Sequence, residues 1–360
     1  MLELWSPDDA FGRIEAHLRD AGFFAGPTGA AARQGLVADV YLGYGLSRML
    51  RREPWPDPSE PCPLPLAAVR IRPVASPDRW APVGAMHIGA WTRSWDDAGY
   101  VAAIEAARKA IAAGEVYQVN LVQHLSAPFE GDPSALATAL APLRPRHPRP
   151  LIGDGWAIVS ASPELFLARE EERIWTMPIK GTRPAGWSGD ALRESPKDAA
   201  EHVMIVDLER NDLGRVSRFG TVRWPELMAA RPMAGVVHLV SIVEGLQRPG
   251  LSLEELLRAL FPGGSVTGAP KIAAIDRIAA LEPVGRGASM GALGTIHPNG
   301  DLDLSLTIRT FAVAEGRIHL WVGGGIVWDS DPVAEIEESW VKARPLLEAI
   351  GAPLGEVVRV

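Results

Sequence analysis

Apolar residues recur along this chain with two different periods, and the change of period marks its elements. Over 97–113 they fall at Val101, Ile104, Ala107 and Ile111, one face of a helix that Ser94 or Asp96 can cap and Gly114 can end. Ser252 and Glu255 have the spacing of a capping box ahead of a leucine-rich helix over 253–260. Further helices are predicted over 196–206, 270–281 and 333–350. Strands are predicted over 66–72, 116–124, 156–161, 291–296, 303–314 and 317–323, with 165–168 and 174–179 as a hairpin pair. Residues 1–50 read as short mixed elements, and 53–65 as a proline-rich connector. The strands cluster instead of alternating strictly with helices. That pattern predicts an α+β fold of antiparallel sheets packed with helices.

Composition narrows the function. A chain of 360 residues can bury a large core, and its net charge of -8 argues against a broad nucleic-acid surface. No apolar run approaches the ~18 residues of a membrane helix. The acidic start, without a signal-peptide pattern, gives a cytoplasmic expectation. The single cysteine, Cys62, excludes an internal disulfide and fits a reducing compartment. It lies in a proline-rich loop with no histidine nearby, so the chain offers no Cys-His glutaminase site of its own.

Only five of the 36 basic residues are lysines. Lys180 stands out among them because it sits in the apolar run Met177-Pro178-Ile179-Lys180-Gly181-Thr182. Desolvation there would lower its pKa and suit a neutral amine nucleophile; the alternative is a strand-end lysine reaching back to water. Two carboxylate pairs, Asp198 with Glu201 and Glu335 with Glu338, are three residues apart on predicted helices and so share a face. Together they could give oxygen ligands to one magnesium ion, or they could be two solvated helix faces. The segment Phe261–Lys271 places glycines before a helix, where backbone amides can meet an anion. It is not an ATP loop, because Ala269 and Pro270 stand where that motif needs Lys and Ser/Thr. Gly323-Gly324-Gly325 reads as a close-approach strand end.

Taken in order, several segments resemble the chorismate-utilising enzymes. They are 114–121, Ser162-Pro163-Glu164-Leu165-Phe166, Pro178-Ile179-Lys180-Gly181-Thr182, 201–216, His238-Leu239-Val240-Ser241, 261–271, 323–326 and 331–342. The resemblance spans roughly 91–347. It implies a chorismate-binding catalytic domain over 91–360 and a shortened N-terminal region, 1–90, packed upon it. Lysine at position 180 resembles the aminodeoxychorismate synthase branch, whereas anthranilate synthases carry alanine there. A catalytically degenerate scaffold is the remaining alternative.

The resemblance also implies roles. Glu201 and Glu338 would bind Mg2+ directly, with Asp198 and Glu335 helping through water. Backbone amides around Gly268 would meet the ring carboxylate of chorismate. Arg309 would pair with the enolpyruvyl carboxylate, and Thr182 and Gly325 would also line the substrate. Glu164 would be the general acid for the departing hydroxyl, and His238 would orient that hydroxyl or Glu164. Lys180 would form a covalent adduct that ammonia displaces, and Lys342 would balance charge. Ammonia would come from a separate glutamine amidotransferase. Gln118 stands where isochorismate synthases carry a general-base lysine. Ser289 replaces the family's usual tyrosine, and no feedback motif is found near the start, so tryptophan inhibition is not expected.

Overall fold

The computed structural model describes residues 1–75, 85–184, 196–233 and 236–352. The chain opens with β1 (Leu2–Leu4), α1 (Ala10–Asp20), α2 (Ala30–Arg33), β2 (Leu36–Leu42) and β3 (Ala67–Pro73). Next come β4 (His87–Ile88), β5 (Thr92–Arg93), α3 (Asp97–Ala112), β6 (Gln118–Glu130), α4 (Ser134–Leu140), β7 (Leu151–Ile152) and β8 (Trp156–Ser160). The middle holds β9 (Leu165–Glu170), β10 (Arg173–Met177), β11 (Ile179–Pro184), α5 (Pro196–Gly214), β12 (Arg223–Met233) and β13 (Val236–Leu246). The last part is α6 (Leu253–Leu260), β14 (Gly268–Ala269), α7 (Lys271–Leu281), β15 (Ala292–Ile296), β16 (Leu302–Leu306), β17 (Thr310–Ala314), β18 (Arg317–Ile326) and α8 (Pro332–Ala349).

Among the described residues the strands form two antiparallel sheets. Ten strands run in the order β1-β3-β2-β15-β16-β9-β10-β13-β11, with β12 also on β13. Eight run β14-β6-β18-β17-β8-β7, with β4 and β5 on β6. This is the expected α+β class. The larger apolar cluster mixes residues of both sheets, such as Leu42, Leu167 and Leu304 with Val122, Ile158 and Trp321. A second cluster places Leu125, Val159, Phe311 and Leu320 against Leu136 and Leu140 of α4 and Leu346 and Leu347 of α8. The eight-stranded sheet is therefore covered on both faces, and β6 is buried at ten consecutive positions. Alternation disappears from such a strand, so its sequence pattern gave too short a length.

Local signals placed several elements well. Asp96 caps α3 by accepting from the Gly99 amide, and Ser252 with Glu255 closes a full capping box on α6. Tertiary contacts overrode others. α5 continues eight residues past its expected end, through a charged stretch, because Glu209 and Asp212 find buried partners in Ser265 and Lys271. The hairpin β12–β13 was not anticipated; Pro225 and Pro232 interrupt the strand pattern of its first arm. The strand expected over 303–314 is two strands. β16 belongs to the ten-stranded sheet and β17 to the eight-stranded one, and the chain passes between them at Thr307-Ile308-Arg309, where Arg309 takes φ 51°.

Arg286 fastens the loop before β15 to the core. It is 2% exposed, pairs with Glu282 at 2.7 Å, and donates to the Val266 and Asn120 carbonyls at 2.8 Å each. Its guanidinium lies 4.4 Å from the Tyr44 ring centroid. Replacing it would strand a buried Glu282. Arg286→Met is expected to cost about 3–5 kcal/mol of unfolding free energy in a urea titration.

Candidate active site at the two sheet crossings

The chain crosses between the sheets twice side by side. β8 and β9 are joined through Ser162-Pro163-Glu164, and their partners β17 and β16 through Thr307-Ile308-Arg309. Backbone bonds tie the crossings together: Leu306 N–H donates to Glu164 O, and Ala161 N–H to Arg309 O, both at 3.0 Å. Glu164 and Arg309 are thus brought together by topology although 145 residues separate them. Glu164 is 4% exposed, and its Oε1 accepts from Ser265 Oγ at 2.7 Å and from the Ile179 amide at 3.4 Å. Burial raises its proton affinity above the usual carboxyl range. Lys180, Ser265, the Ile179 amide and Arg309 oppose that without cancelling it. A buried carboxyl of this kind holds a proton nearer neutrality and can deliver it.

Lys180 follows on β11, and its Nζ lies 3.5 Å from Glu201 Oε1 of α5. The sequence suggested an amine kept neutral by apolar neighbours. Burial does press its pKa down, but Glu201, Glu164 and Glu338 outweigh burial, and the net direction is upward. The lysine is therefore an ammonium at rest. The apolar residues beside it in sequence do not reveal carboxylates that come from three other elements.

The two expected carboxylate helices, α5 and α8, converge on the end of β18. A Cβ added at Gly324 would sit 3.4 Å from Glu335 Oε2, Glu338 Oε1 and Lys342 Nζ. One added at Gly325 would overlap Gln118 Nε2 at 1.9 Å and lie 3.3 Å from Glu201 Oε1. Any side chain at Gly325 would displace this group. Lys342 bonds Glu338 Oε1 and the Gly323 carbonyl, each at 2.8 Å. Among the described residues no three His, Cys, Asp or Glu side chains are gathered around one point as a metal cage. The acidic groups that converge there, Glu201, Glu335 and Glu338, nonetheless offer carboxylate oxygens, the donor chemistry of a hard cation, beside the Lys342 ammonium. The side chains of Asp198, at the start of α5, and of Thr182, on β11, lie outside the described ones.

The remaining expected residues border the same region. Gly268 pairs with Val119 of β6 at φ 141°, and a Cβ there would meet Gln118 O at 2.1 Å, so only glycine fits. His238, on β13, donates from Nδ1 to the Gly181 carbonyl at 2.9 Å. Burial lowers its pKa, so the ring is neutral and its lone pair lies on Nε2. Arg309's charge acts on both His238 and Glu164. Ser289 is fully buried, with no partner for its hydroxyl among the described residues. Cys62 is buried, and burial with the charges of Glu60 and Glu315 pushes its thiol up to about 12, which fits an inert role.

A family model described as chorismate binding enzyme matches residues 66–348. The chain belongs to the chorismate binding enzyme family. Anthranilate synthase component 1 of Streptomyces coelicolor is 39% identical over 85% of the chain and 59% of its own length. Aminodeoxychorismate synthase component 1 of Klebsiella aerogenes is 43% identical over 66% of the chain and 54% of its own. The chain thus spans little more than half the length of these curated relatives. The crystal structure of anthranilate synthase component I from Streptococcus pneumoniae superposes with a TM-score of 0.75 at 26% identity, covering 87% of this chain and 80% of that one. The relatives carry both names at similar identity, so overall similarity does not choose between them.

Sequence reasoning gave no role to Ser265 and His202, and marked Gln118 only as standing where isochorismate synthases carry a lysine. Ser265 bonds Glu164. His202 is fully buried, bonds Ser241 Oγ at 2.6 Å and feels the charge of Lys180. Gln118 is 1% exposed, and neither atom of its side-chain amide has a partner among the described residues. Ser265 reaches Glu164 across a sequence separation that no local spacing encodes.

Proposed function

We propose that this chain is the synthase component that aminates chorismate to 4-amino-4-deoxychorismate, the precursor of 4-aminobenzoate and folate. The observation that carries this reading is the position of Lys180. Its amine lies 3.5 Å from Glu201, feels the charges of Glu164 and Glu338, and does not snorkel to solvent. Glu164 gives its proton to the ring hydroxyl, which leaves as water. Glu164 is then a carboxylate facing an ammonium, and it is suited to take one proton from Lys180. The freed amine bonds to the conjugated ring carbon. Ammonia next attacks the carbon that lost the hydroxyl, the Lys180–carbon bond breaks, and the lysine regains a proton. Arg309 offers a guanidinium fork to the enolpyruvyl carboxylate. Gly268 and Gly325 let backbone approach the substrate, while His238 orients the leaving hydroxyl.

Glu201 and Glu338, with Asp198 and Glu335, would hold Mg2+, which when bound neutralises the ring carboxylate of chorismate. With Cys62 inert, a separate glutamine amidotransferase would supply the ammonia. The sibling reading, anthranilate synthesis, draws on relatives of that name at comparable identity and on the superposed anthranilate synthase structure.

The test is incubation of the chain with chorismate, Mg2+ and either ammonium or glutamine, followed by mass analysis and chromatography of the product. The expected outcome is 4-amino-4-deoxychorismate from ammonium and none from glutamine alone. Anthranilate as the product would give the sibling reading, and turnover of glutamine would remove the partner.

A further inference from the structure

Behind Glu164 lies a line of buried ionisable groups to which the proposed reaction assigns no task. Ser265 spans the first gap. Its hydroxyl donates to Glu164 Oε1 at 2.7 Å, while its amide donates to Glu209 Oε1 at 3.3 Å. Glu209 and Asp212 sit one turn apart on α5 at 7% and 5% exposure. Lys271, from α7, reaches Asp212 Oδ2 at 2.5 Å and the Leu260 carbonyl at 3.0 Å. The turn that carries Ser265 is pressed onto α5 so closely that a Cβ at Gly264 would meet Leu208 at 2.5 Å and Glu209 Oε1 at 3.3 Å. A buried glutamate here is costly, and among the described residues the nearby ammonium of Lys271 pairs directly with Asp212 instead.

The geometry points to Glu209 as a positioning residue for the acid Glu164. It anchors the Ser265 amide so that the serine hydroxyl is aimed at Glu164, and its negative charge helps keep the proton on that acid. Two forces on Glu164 then oppose each other. The Ser265 hydroxyl favours the carboxylate, and the Glu209 charge favours the acid. The groups facing Glu209 are Asp212 on its own helix, Lys271 from α7, the Ser265 amide and Glu164. Those facing Glu164 are Lys180 from β11, Ser265, the Ile179 amide and Arg309. In support, burial and then Asp212 push Glu209 up to about 7, against Lys271 and Ser265, so its charge changes in the range where the acid must work.

The inference rests on Glu164 being the acid of the proposed reaction, but its test does not need that reaction. The full chain, labelled with 13C at the glutamate δ-carbon, is titrated by NMR without substrate. The Glu164 resonance is identified by its loss in Glu164→Gln. Glu209→Gln keeps an acceptor for the Ser265 amide and removes the charge, so Glu164 is expected to lose about tenfold in proton affinity. Ser265→Ala is expected to move it the opposite way, and Ser265→Thr to restore the wild-type titration. In turnover, Glu209→Gln should lower kcat on the alkaline side with KM little changed. Glu164 titrating unchanged in Glu209→Gln and Ser265→Ala, or shifting in the same direction in both, would overturn the inference. A wild type that makes a different product would overturn the proposed function and leave the titration result standing.

Discussion

Lys180→Ala is expected to cut formation of 4-amino-4-deoxychorismate by on the order of a hundredfold or more, the lower range for one positioned reacting group. Chorismate offers two conjugated positions, and ammonia and lysine are both amines. A lysine that takes the near position first leaves the far one for ammonia in a second displacement, so covalent catalysis explains regiochemistry as well as rate. The residual product of the mutant should therefore shift toward amination at the near position. Intact-protein mass spectrometry during turnover without ammonia should show an adduct on the wild type and none on Lys180→Ala. The mutation also removes the ammonium that acts on Glu201 and Glu164, so Lys180→Arg is the control that keeps the charge. It should stay folded and remain inactive, because a guanidinium is not a nucleophile at neutral pH. An unmodified wild type together with a Lys180→Ala of normal rate and product would make this lysine a bystander.

Removal of metal should have an effect of similar size. Excess chelator is expected to abolish turnover, and added Mg2+ to restore it. Glu338→Ala should do the same without repair by Mg2+. The Glu338 side chain is 48% exposed and its partner is Lys342, so an exposed pair of this kind contributes at most about 1 kcal/mol to folding. Loss of activity with an unchanged urea midpoint would then report function and not unfolding. Glu201→Gln should weaken Mg2+-dependent chorismate binding in a calorimetric titration, since it removes charge with little change in volume. Full turnover in chelator would take the metal out of the mechanism.

Much of this protein was legible before any coordinate. The capping box of α6, the Asp96 cap of α3, the clustered strands and the glycine before α7 are local statements, and local chemistry enforces them. The family motifs named Glu164, Lys180, Glu201, Arg309 and Glu338 in order along the chain. What order could not supply was the company each residue keeps. Arg309 was read within one continuous strand, whereas the crossing from sheet to sheet breaks that strand and sets it beside Glu164. The apolar run around Lys180 suggested a lowered pKa, and carboxylates from other elements reverse its direction. The charged end of α5 looked like the end of a helix until Lys271 and Ser265 gave Asp212 and Glu209 buried partners. Periodicity and capping act over one or two helical turns, so sequence alone determined where the capped helices α3 and α6 begin and which residue types the elements carry. Electrostatic environment depends on groups far apart in the chain, and only the tertiary structure decided it.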